Sequence, residues 1–223
     1  MSVKPAWQMS CTALIAALAL PSCAIAPLPL RIEQRIAING LPQPAAGITT
    51  HDLELGIADI GHWPDKEIVA AVHQAARLLA QCGIRLSRAE LLQVTVAESH
   101  RHFDTPRSRE LARALQLPRP AIYFAAGTRQ VPAFDAEAIG RGNSRSRPEL
   151  ADSVWIARGA RDLGIVVAHE LAHVLMDSGA HDNTPGNLMA ESTTQDNTRL
   201  TAEQCAKMRD TGTRNGLLHP GVN

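Results

Sequence analysis

The chain has 223 residues, and its 22 Lys and Arg balance 22 Asp and Glu. A formal charge of zero gives no electrostatic case for nucleic acid or an acidic membrane surface as partner. The length supports one well-cored domain and little more, and with 3% aromatic residues the core must be aliphatic.

The N-terminus has the form of an export signal. Lys4 gives a positive start, and residues 12–20 are an apolar run broken by Pro21, too short to span a bilayer as a helix. Ala24-Ile25-Ala26 offers small residues around a cleavage site, which makes 1–26 a signal peptide. A bacterial lipoprotein signal over 1–22 competes with it, with Cys23 lipidated after Leu20-Pro21-Ser22; that anchor is the only membrane attachment the sequence suggests. Export leaves Cys82 and Cys205 as the Cys pair inside the folded domain, and a disulfide between them is expected in an oxidising compartment; two separate buried thiols are the alternative. Residues 27–50 are rich in Pro, Gly and Ala and read as a linker, an extended arm or a propeptide.

The domain proper, 51–223, alternates between periods of two and of 3.6 residues. The pattern predicts a strand over 52–59 and a long amphipathic helix over 65–82 that starts at Pro64 and Asp65. It then predicts a strand over 92–97, a short helix over 108–117 and a strand over 121–125. A short edge strand falls at Ala138-Ile139-Gly140, followed by a polar loop over 141–148 with Arg141, Arg145 and Arg147, and by a strand over 152–157. The loop is either solvated or a rim over a cleft. Asp162 is placed as the cap of the next helix. Thr201-Ala202-Glu203-Gln204 is a capping-box pattern that opens a last helix over 201–209. His62-Trp63-Pro64 is expected to pack against the long helix, His100-Arg101-His102 to be a solvated loop, and Tyr123 to be core.

The chemistry is concentrated in His169-Glu170-Leu171-Ala172-His173, set in an apolar run. Helical residues four apart lie on one face, so His169 and His173 can present two imidazoles to one metal ion. Glu170 stands beside the first ligand, where it can reach a water on the metal. Two His with an adjacent non-ligating Glu is the donor set of a zinc hydrolase that keeps one coordination position open. His181 is the expected third ligand, with Asp177, Asp182 and Glu191 as alternatives. A continuing helix would carry His181 about 12 Å further along the axis, so the chain must bend back. Ser178-Gly179-Ala180 is where that bend is expected, since Gly accepts the left-handed conformation.

These residues resemble the metzincin clan of zinc peptidases, whose pattern is HExxHxxGxxH followed by a Met-turn beneath the metal. As in the matrixin branch, a Met stands eight residues after the third His with a Pro between: His181, Pro185 and Met189. The chain departs upstream. Met176 stands where the family has its helix-ending Gly, Gly179 where it has the third His, and His181 comes two residues late. No Cys with the flanks of a matrixin inhibitory switch occurs in 27–50.

The resemblance implies an α+β fold: a twisted mixed sheet with a long backing helix and the HExxH helix on one face, over a small irregular C-terminal half. It implies one catalytic Zn2+ on His169, His173 and His181, Glu170 as general base, Met189 as an apolar floor, and Asp182 holding the turn or orienting a His. It implies a peptide or protein substrate that pairs with the edge strand near Ile139. The expected protein is thus an exported, monomeric metalloendopeptidase, secreted or periplasmic. The alternative is a non-catalytic exported or lipid-anchored protein that keeps the metal; the intact Glu170 argues against it.

Overall fold

A computed structural model describes residues 28–221. The expected signal peptide and cleavage site, with Cys11 and Cys23, lie outside the described residues. The elements are β1 (Leu30–Ala37), β2 (His51–Asp59), α1 (Asp65–Ala80), β3 (Ile84–Val96), β4 (His102–Phe103), α2 (Thr105–Leu115), β5 (Ala121–Ala125), β6 (Gly127–Thr128), β7 (Ala136–Ile139), β8 (Ser153–Ala157), α3 (Leu163–Met176), α4 (Ala202–Arg214) and β9 (Leu218–Pro220).

A seven-stranded mixed sheet runs in the order β1-β3-β2-β5-β8-β7, with β9 also paired to the start of β2. Strands β3, β2, β5 and β8 are mutually parallel, while β1 and β7 run antiparallel at the two edges. A two-stranded β4–β6 ribbon stands apart. Successive residues of a strand face opposite sides, and the sheet has a core on each. Leu53, Leu55 and Ile57 of β2 join α1, α3 and α4 in the larger cluster. Ala58, Tyr123 and Trp155 face the other way and pack with Phe103 and with Leu111 of α2. Tyr123 lies flat against Trp155, with ring centroids 4.1 Å apart, so its expected role in packing holds.

Helix α1 buries Ile68, Val72, Ala75 and Leu79, spaced for one helical face. Helix α3 packs beside it, and the close approach is made at Gly164, where a Cβ would come within 2.5 Å of Gln74 Cβ. Helix α4 opens with both halves of the expected capping box, Thr201 accepting from Gln204 N–H and Gln204 accepting from Thr201 N–H. It is tied to the end of α1 by a disulfide between Cys82 and Cys205, with Cα atoms 4.8 Å apart. Trp63 packs as expected ahead of α1, its indole N–H donating to Ala125 O.

Within residues 27–50, read as a linker, an extended arm or a propeptide, Leu30–Ala37 form β1, an extended segment that pairs with β3 along its length through mostly exposed side chains. Two other expectations need correction. Strand β3 begins at Ile84, well before 92, because a register shift near Leu53 lets Ser87 interrupt the alternation without ending the pairing. Asp162 does occupy the N-cap position of α3, yet its side chain makes no capping hydrogen bond and its backbone is left-handed.

Candidate metal centre

Helix α3 is buried along nearly its whole length, so its apolar residues fix which way the polar ones point. His169 and His173 are 3% and 7% exposed, facing a cavity of about 750 Å³ between the sheet edge and the irregular segment after α3. The helix ends in a Schellman arrangement, in which Asp177 N–H donates to Val174 O and Ser178 N–H to His173 O. The left-handed residue there is Asp177, with φ 45°, and not Gly179 as expected. The bend therefore comes two residues earlier than the sequence suggested, and it leaves enough chain for His181 to return to the cavity.

The three imidazoles converge. His173 Nε2 lies 2.9 Å from His169 Nε2 and 3.2 Å from His181 Nε2. One ligand atom from each of the three lies within 4.8 Å of the others, and no other such cluster occurs among the described residues. The opposite nitrogens explain the orientation. His169 Nδ1 lies 2.7 Å from Leu188 O, and His173 Nδ1 lies 2.6 Å from Ser178 O. A carbonyl oxygen only accepts, so each Nδ1 carries the proton and each Nε2 presents a lone pair. Two lone pairs 2.9 Å apart repel unless a cation sits between them. Protonating one ring is the other remedy, but burial lowers the pKa of both, and burial together with the neighbouring His169 brings that of His173 to about 4. A tetrahedral ion with metal–nitrogen bonds near 2.05 Å would hold such nitrogens about 3.3 Å apart. The donor set therefore fits a metal ion.

Glu170 lines the same cavity with Ala138 of β7. Burial, and then the negative charge of Glu137, raise its pKa to about 7, the backbone N–H of Ala138 offsetting them slightly; a cation on the imidazoles would pull it back down. The alternative ligands are engaged otherwise. Asp177 Oδ1 accepts from Gly142 N–H at 3.3 Å. Asp182 takes Thr184 N–H at 3.0 Å, the Thr184 hydroxyl at 2.7 Å and Asn187 Nδ2 at 3.0 Å. It holds the turn and bonds no His. Glu191 lines the cavity wall outside the cluster.

Met189 is buried, and its carbonyl accepts Asp182 N–H at 2.8 Å, closing the loop that begins at His181. Sequence reasoning missed what secures this loop. Buried Asn187 holds Met189 N–H through Oδ1, and Gln204 of α4 donates to both Asp182 and Asn187. The orienting carbonyls of Leu188 and Ser178 carry no side-chain signal at all. A buried Asn two residues before the Met was the one clue available.

The other sequence candidates stay outside the centre. Arg141 turns away to Asp152 and to Asn215 O, so only the backbone region of its loop, at Gly142 and Asn143, borders the cavity. His100 and His102 pair with Glu110 and Glu98. No protein-family model matches the chain, and no curated protein matches its sequence. Among the described residues no helix is long and apolar enough to cross a membrane.

Proposed function

We propose that the protein is an exported zinc-dependent endopeptidase of the metzincin type. The observation that carries the reading is the convergence of three imidazole Nε2 atoms beside Glu170, at the open edge of a sheet. Nitrogen donors of this number favour zinc among common ions. The antiparallel edge strand β7, the helices α1 and α3 on one face, and Met189 eight residues past His181 support the family reading. The disulfide is compatible with export, because such bonds persist in oxidising compartments.

The residues have separable tasks. An extended peptide would lie along the outer edge of β7, where main-chain hydrogen bonds give affinity without regard to sequence. The zinc ion, when bound, supplies Lewis acidity toward water and the scissile carbonyl. Glu170 accepts the proton of the attacking water and returns it to the leaving amine. His169 and His173 keep their Nδ1 protons on Leu188 O and Ser178 O, so their Nε2 atoms stay unprotonated at neutral pH.

The test is cleavage of a peptide library by purified protein, abolished by chelator and restored by zinc. Glu170→Gln should keep zinc and fold yet lose about 10²–10⁴-fold in kcat. A Gln variant with near-normal turnover would remove Glu170 from the mechanism, and absence of chelator-sensitive cleavage would remove the reading.

A further inference from the structure

The cavity wall is acidic in a chain whose formal charge is zero. Five carboxylates line it (Asp135, Glu137, Glu170, Asp177 and Glu191) against one guanidinium, Arg161. Nearby arginines are committed elsewhere. Arg141 is bound to Asp152, and Arg147 lies 3.8 Å from Glu137 on the wall. Even one divalent cation on the imidazoles leaves the wall with excess negative charge.

Asp177 is the member that local structure argues against. The left-handed position that ends a Schellman motif favours Gly, which has no Cβ to strain. A carboxylate at a helix C-terminus also meets the negative end of the helix dipole. The chain accepts both penalties and then fixes the carboxylate in place. Oδ1 takes Gly142 N–H and lies 2.6 Å from where a Cβ on Gly140 would stand, so the loop after β7 can come this close only because it carries Gly there. The other carboxylate oxygen has no partner among the described residues. An exposed, immobilised and half-satisfied carboxylate on the wall of a cleft is a ready acceptor for an ammonium or guanidinium group.

We propose, resting on the peptidase reading, that the cleft selects cationic peptide segments, with Asp177 as a specificity-determining residue that receives a Lys or Arg side chain near the scissile bond. Asp135 at the sheet edge and Glu191 on the segment after α3, both exposed and lining the cavity, add a diffuse attraction that salt screens.

The experiment uses zinc-loaded protein and three fluorescence-quenched peptides identical but for Lys, Ser or Glu flanking the cleaved bond. The Lys peptide should exceed the Glu peptide in kcat/KM by about tenfold or more at low salt, and the ratio should shrink as salt rises. Asp177→Asn keeps an oxygen for Gly142 N–H and suits the left-handed backbone, so it removes the charge alone. It should cut the Lys-to-Glu ratio by about threefold or more at unchanged zinc content. Equal handling of the peptides, or a preference for Glu, overturns the proposal, and an unchanged ratio in Asp177→Asn overturns the role of Asp177. If no peptide is cleaved, the peptidase reading has failed. Anisotropy of the same peptides, labelled, on zinc-loaded Glu170→Gln protein then decides the charge inference by itself: tighter binding of the Lys peptide upholds it and equal binding overturns it.

Discussion

Replacing Cys82 and Cys205 together by Ala should cost the fold several kcal/mol. The bond closes a loop over a sequence separation of 123 residues. In the chain-entropy account, a loop of that length removes about 16 cal/mol/K from the unfolded ensemble, or about 5 kcal/mol at 25 °C. Native contacts that persist without the bond do not change this figure, because the effect lies in the unfolded chain. Ala is the appropriate replacement, since both sulfurs are buried and a Ser hydroxyl there would need a partner. Guanidinium unfolding, followed by circular dichroism and by the fluorescence of buried Trp155, should show a loss of about 3–5 kcal/mol and a larger m-value, as the unlinked chain expands further. Reduced wild-type protein should fall near the double variant. A loss below about 1 kcal/mol at constant m would refute the reasoning. It would mean that the unfolded chain is already compact without the bond.

Three further outcomes are expected. His181→Ala should weaken zinc binding by about 100-fold or more in competition with a chromophoric chelator, and unchanged affinity would assign the third ligand elsewhere. Gln204→Ala breaks the capping box and the bonds to Asp182 and Asn187 together; thermal unfolding should show a loss of about 1–2 kcal/mol, and zinc affinity should fall about tenfold. Normal zinc affinity in that variant would show that the polar network does not hold the His181 loop. Glu149 is clamped by Arg109 first, then by its own backbone N–H and by Arg113, which together hold its pKa down from 4.5 to about 2. Its contribution is therefore complete above about pH 4.5 and lost as pH falls toward 2. The stability gap between wild type and Glu149→Gln, measured by denaturant titration, should close over that interval, and a gap independent of pH would contradict the clamp.

Much of the framework was legible because period and punctuation agree. Helix α1 shows an apolar stripe bounded by Pro64 and Gly83, and α4 announces itself through Thr201 and Gln204. Strands β5 and β8 are buried on both faces and read as short apolar runs. What stayed hidden was set by partners distant in sequence. Strand β1 has almost no buried side chain and exists because β3 offers it a free edge. Helix α2 begins at Thr105, ahead of the expected 108, because Pro106 fits a first helical turn that hydrophobic periodicity does not register. Within the site, His169, Glu170, His173, His181 and Met189 were visible as residue types at meaningful spacings. The bend was placed wrongly, because the expectation relied on Gly where Asp177 adopts the left-handed backbone.

That displaced bend bears on what builds the candidate metal centre. HExxH supplies two rings, but a helix alone does not decide which nitrogen of each ring faces the cavity. That choice is made by Leu188 O and Ser178 O, both on the segment after the helix. The first of these carbonyls stands where it does because Leu188 N–H is bound to Arg199 O, while Met189 is bound through Asp182 and Asn187. Gln204 ties this segment to α4, and the neighbouring Cys205 ties α4 to α1. The tautomer of buried His169 thus depends on a chain of contacts that ends in the disulfide, while that of His173 is set at the helix end by Ser178 O. On the zinc reading proposed above, loss of the bond should reach the His169 ligand through this path, so the double Cys variant should bind zinc more weakly even under conditions where it remains folded. Were its zinc affinity unchanged while its stability fell, the centre and the C-terminal helix would be independent, and Leu188 O would have to be held by Arg199 alone.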